Sequence, residues 1–93
     1  MQPASGPTGP SGPEASFYTL LHMIGLHTMI ALGEIPSPLH KEKIVDLRQA
    51  KFHLDTVRLL KAKTSGNLDD QEKKALDGLL AELESTFAKK ARA

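Results

Sequence analysis

Three segments of this chain have the hydrophobic spacing of helices, and two short breaks separate them. The first, SFYTLLHMIGLHTMIALG, runs from Ser16 to Gly33 with no Asp, Glu, Lys or Arg, and Glu14 and Glu34 bracket it. We read a helix over about 17–32, with Ser16 as N-cap and Gly33 as C-cap ahead of Pro36 and Pro38. GEIPSPLHKEKIV, residues 33–45, then reads as a connecting loop. Ser37-Pro38 has the form of a helix start, a cap followed by a first-turn proline. A later start is preferred, because Asp46 and Gln49 form a capping box in front of a periodic segment. That second helix covers about 47–64, with Leu47, Ala50, Leu54, Val57 and Leu60 on one face at about 100° per residue. Gly66 in KTSGNL suits a left-handed C-cap, with Leu68 folding back beside Asn67 to cover the turn. Asp69 and Glu72 form a second capping box, and a third helix spans about 70–90. Its apolar stripe is Leu76, Leu79, Leu80, Leu83 and Phe87, and Lys89, Lys90 and Arg92 suit the negative end of its dipole. No run alternates as a strand does, so the class is all-α: a three-helix domain with a helical hairpin and a very apolar first helix.

The first helix carries more apolar surface than two neighbours can cover. Phe17, Leu20, Leu21, Ile24 and Ala31 make one face, while Met23, Leu26, Met29 and Ile30 point in other directions. A helix apolar nearly all round has to be enclosed. Phe52 and Leu59, seven apart in the second helix, lie roughly opposite Leu54 and Val57 and add to the surplus. The expectation is a second chain, a homodimer in the simplest case or another protein partner. The candidate interaction surface is Phe17, Leu20, Leu21, Ile24, Leu26, Met29, Ile30, Phe52 and Leu59.

Other readings of the same stretch fare worse. A helix of about 16 residues spans roughly 24 Å, short of the ~30 Å hydrocarbon core of a bilayer. His22, His27, Thr19, Thr28 and Gly25 dilute it, and both flanks are acidic. A signal peptide needs a positive start, which MQPASGPTGPSGPE does not supply. Peripheral membrane association through this helix is the alternative function. His22 and His27 are five apart, about 140° around a helix, whereas two ligands of one metal want the i, i+4 spacing. His40 and His53 belong to no motif, so no metal or cofactor is expected.

Composition limits the chain further. At 93 residues there is room for one domain, and no Cys is present, which removes disulfides and thiolate metal sites and fits a reducing cytoplasm. Residues 1–15 hold four of the six prolines and three of the seven glycines, and are expected to be a disordered tail. Gly6, Gly9 and Gly12 give a Gly-Pro-X register too short for a collagen helix. The helical domain is then 16–90, with a basic end at 91–93. Twelve basic and 11 acidic residues give a net charge of +1, an even balance that argues against a protein built to neutralise phosphates. The basic bias of Lys41–Lys63, seven basic against three acidic residues, reads as a solvated face.

Candidate chemistry is sparse. Asp55 lies four after Lys51 and three before Arg58, the spacing of helical surface ion pairs, and no second carboxylate or His converges on it. Thr64, Gly66 and Asn67 precede a helix N-terminus able to hold an anion, but Asp69 and Asp70 already occupy that positive end. There is no nucleotide loop, no nucleophile with a base at catalytic spacing, and no His or Cys cluster. A non-enzymatic role is expected.

Three stretches together, ALGEIPSP, AKFHLDTVRLLKAKTSGNL and DDQEKKALDGLLAELESTF, resemble a small bacterial family known as domain of unknown function family 1844. The resemblance runs from about Phe17 to Phe87, and its most specific part is the turn of Lys63, Thr64, Gly66, Asn67 and Leu68 before an acidic helix start. Members often have Thr or Ser in place of Asp69, which preserves a cap, and an apolar residue in place of Glu34. The resemblance implies a short helical bacterial cytoplasmic protein. It implies no activity, cofactor or catalytic residue.

Overall fold

A computed structural model describes residues 14–92 as three helices, α1 (Phe17–Ala31), α2 (Leu47–Lys63) and α3 (Asp70–Arg92). The expected Pro/Gly tail, except Glu14 and Ala15, lies outside the described residues, as does Ala93. Each helix packs against the other two. Lys61 pairs with Asp77, and Arg58 with Glu84, so α2 and α3 run antiparallel as a hairpin. His27 beside His53, with the Leu32–Val45 bridge beyond it, makes α1 and α2 antiparallel as well. The class is all-α, and the helix ends fall within two residues of those expected from the sequence.

Local chemistry sets these ends. Ser16 Oγ accepts the Thr19 N–H at 3.1 Å and caps α1. At the other end, the Gly33 N–H donates to Ile30 O at 3.0 Å and the Glu34 N–H to Met29 O at 2.9 Å. Those two bonds, with Gly33 at φ +78°, close α1 in a Schellman turn. The chain then returns, and the Asp46 N–H donates to Ala31 O at 2.7 Å.

That last bond alters the first expected capping box. Asp46 Oδ1 does accept the Gln49 N–H at 3.1 Å, but the reciprocal donor is already engaged with Ala31. The Gln49 side chain instead reaches His53, with Nε2 to Nε2 at 3.4 Å. The second box forms in full: Asp69 Oδ1 accepts the Glu72 N–H at 2.7 Å, and Glu72 Oε1 accepts the Asp69 N–H at 3.0 Å. Gly66 has φ +85° but sits two residues past the α2 cap, Thr64. It is the third residue of a turn in which the Asn67 N–H donates to Thr64 O, so it shapes the turn and does not itself cap α2.

The core lies where the three helices meet. Leu21, Leu54, Val57, Leu76 and Leu83 are buried there, with Phe17, Ile24, Met29, Leu60, Leu68, Leu79, Leu80 and Phe87 packed around them. A smaller cluster of Ala31, Leu32 and Ala50 closes the end near the long loop. The buried residues of α1 are Leu21, Gly25, Thr28 and Ala31, a stripe of mostly small side chains. A Cβ on Gly25 would lie 3.0 Å from Leu79 Cδ1, so α1 and α3 approach closely at this point. Thr28, 1% exposed, donates its hydroxyl to Ile24 O at 2.7 Å, which satisfies the group without another helix.

Candidate interaction surface

Because the narrow stripe of α1 faces inward, much of its bulk faces out. On a helical projection Met23, Leu26 and Ile30 lie roughly opposite Leu21 and Thr28. Met23 is 51% exposed, Tyr18 45%, and Leu20 and Leu26 39% each. On α2, Phe52 is 62% and Leu59 57% exposed, as their position opposite Leu54 and Val57 requires.

The two exposed sets belong to one strip. The rings of His27 and His53 have centroids 6.1 Å apart, and Phe52 meets the edge of His53 at 5.4 Å. In the antiparallel register those histidines define, Leu20 stands at the level of Leu59 and Leu60. The strip therefore passes from Leu26 and Met23 over Leu20 and His27 to His53, Phe52 and Leu59. At these exposures the apolar side chains leave on the order of 500 Å² open to water, the size of the largest patches on monomeric proteins.

On α2 charge borders this strip, because Asp55 stands three after Phe52 and four before Leu59. Asp55 pairs with Lys51 at 2.6 Å and with Arg58 at 3.1 Å, and Arg58 continues to Glu84 of α3 at 2.9 Å. Lys61–Asp77 at 3.0 Å lies along the same α2–α3 seam, and Lys90–Glu34 at 2.8 Å ties the end of α3 to the turn after α1. The Lys51 hydrogen bond holds the Asp55 carboxyl below its ordinary range, with Arg58 adding to the effect. Hydrogen bonding to Lys90 does the same for Glu34. These pairs are exposed and contribute little to stability. They mark the outer side of α2 and its seam with α3 as solvated, while the α1 part of the strip carries no charged side chain.

The nine candidate surface residues divide three ways. Leu20, Leu26, Phe52 and Leu59 are exposed on the strip. Leu21 is buried in the chain's own core, and Phe17, Ile24 and Met29 pack against it. Ile30 is half-buried and lines a cavity beside the long loop. Tyr18 and Met23 are exposed and were absent from that set; the signal for Met23 is its position opposite the small-residue stripe. The structural residues Asp46, Gln49, Gly66, Asn67, Asp69 and Glu72 all lie in caps and turns, as described above.

His53 is shifted by its surroundings in the opposite sense to a histidine with an acidic partner. Burial pushes its pKa down, and His27 pushes it the same way. Among the described residues, no group of three or more His, Cys, Asp or Glu side chains is placed to hold a metal ion. No helix among them is long and apolar enough to cross a membrane. Residues 14–89 match the family model described as Domain of unknown function (DUF1844). No curated protein and no solved structure matches the chain.

Proposed function

The chain belongs to the DUF1844 family, a domain of unknown function, and from that premise we propose that it is a non-enzymatic helical module that self-associates through the α1–α2 strip. One observation carries this reading: large apolar side chains, Phe52, Leu59 and Met23 foremost, stand more than half exposed. A second copy of the chain is the partner that fits. On α2 both signs border the strip, Arg48 four before Phe52 and Asp55 between Phe52 and Leu59, so a two-fold contact can set each against its opposite. The exposed apolar area, with His27 and His53 between its two parts, approaches the ~800 Å² per partner of a standard interface. The hairpin supplies the rigid support, and the small-residue stripe of α1 seats the strip on it.

Sedimentation equilibrium from about 1 to 100 µM tests this reading, with a dimer expected across the upper part of that range. A monomer at every concentration would refute it. Co-sedimentation of that monomer with phosphatidylcholine vesicles would transfer the strip to a membrane surface instead.

A further inference from the structure

Beside the strip, α1, α2 and the loop between them line a cavity of about 330 Å³ that opens widely to solvent. Its apolar wall is Ile30 and Ile44, and its polar wall is His27, His53, Gln49 and Ser37. His40 and Asp46 also line it. The loop that forms one side is tied to itself, because the Ser37 N–H donates to Glu42 O at 2.9 Å and the Lys41 N–H to Ser37 O at 2.6 Å. Lys41 adopts φ +58° to make that turn, a conformation uncommon outside glycine. The cavity thus has the volume and mixed lining of a small-molecule site: an apolar side and a few convergent polar groups.

We propose that this cavity binds a small organic acid, with its anionic head between His27 and His53 and its short apolar body against Ile30 and Ile44. Two imidazoles with ring centroids 6.1 Å apart, a side-chain amide and a hydroxyl can all present N–H or O–H to one group of acceptor oxygens. Two imidazoles without a third ligand do not make a metal site, and in their neutral state they leave an N–H for an acceptor. The carboxylate of Asp46 is held at the α2 N-terminus, where its Oδ1 accepts the Gln49 N–H and its charge is balanced by the helix dipole.

Binding is coupled to proton uptake. The groups facing His53 are His27 from α1, Gln49 from α2, and His40 and Asp46 from the loop and cap. Empty, the pair resists a proton on His53, because the ring is partly buried and His27 stands beside it. An anion between the rings reverses that balance and favours the charged imidazolium. Affinity therefore rises as pH falls.

The test titrates the full chain with butyrate, acetate and inorganic phosphate at pH 7.5 and 6.0, following the His ring resonances by NMR. Butyrate is expected to shift His27 and His53 together and to bind more tightly at pH 6.0, by up to about thirtyfold for the uptake of one proton over the interval. It is also expected to bind more tightly than acetate, since only butyrate reaches the apolar wall. His27→Gln and His53→Gln, which lie outside the core, should each abolish the pH dependence with helicity unchanged. Absence of any shift up to 50 mM, an equal affinity for acetate and butyrate, or tighter binding of phosphate than of butyrate would overturn the proposal. His27 and His53 also belong to the strip, so sedimentation is run on the same sample: a monomeric chain that binds butyrate would refute self-association and leave this site standing, and a dimer that shows no shift would overturn the site.

Discussion

Phe52→Glu separates association from folding. The ring is 62% exposed and its described aromatic contact is the edge of His53, so roughly 130 Å² of it remains wet in the isolated chain. At about 25 cal/mol per Å², covering that surface is worth about 3 kcal/mol per copy. A two-fold interface contains the residue twice, which sets an upper limit of about 6 kcal/mol for the dimer. If half of the ring surface is covered, about 3 kcal/mol is lost, which weakens dimerisation roughly a hundredfold. The monomer should hardly notice. Glu is at least as good a helix former as Phe, and the new carboxylate would lie four residues after Arg48. Sedimentation equilibrium reads the association, and far-ultraviolet circular dichroism with urea titration reads the fold. An unchanged dimerisation constant in the variant would refute the placement of Phe52 in the interface. A collapse of helicity would refute the claim that the ring does no work inside the monomer.

Other outcomes follow from the fold itself. Leu83→Ala opens a cavity at a side chain with 0% exposure, where all three helices meet, and should cost about 2–5 kcal/mol in urea unfolding. Gly33→Ala combines φ +78° with a Cβ only 2.7 Å from Val45 Cγ2, so a loss above about 1 kcal/mol is expected in the same assay. Stability should also fall on mild acidification. The folded pKa of His53 lies below its ordinary value of 6.5, so the unfolded chain binds the proton more tightly. The stabilising contribution is complete above pH 6.5 and is lost as pH drops through the folded value. Urea midpoints between pH 7.5 and 5.5 should show this loss, and His53→Gln should flatten it.

The helices, their N-caps and the hairpin were legible in the sequence alone. Short-range rules sufficed: Ser16, Asp46 and Asp69 accept N–H groups three residues ahead, and Gly33 takes a left-handed turn wherever the chain goes next. The amphipathic faces of α2 and α3 were equally legible, because polar residues on their far sides left one orientation, and Leu54, Val57, Leu76 and Leu83 are buried accordingly. Even Phe52 and Leu59 could be placed at the surface, since they oppose that buried face. Which side of α1 turns inward was settled by packing alone. A helix without charges has no polar side to exclude, so periodicity cannot orient it. Packing chose the stripe of Leu21, Gly25, Thr28 and Ala31, because small residues let α1 approach α3 closely while Thr28 satisfies its hydroxyl within its own helix. That choice left Met23, Leu26 and Leu20 outside and brought His27 to His53, a pairing between residues 26 apart that no local pattern encodes.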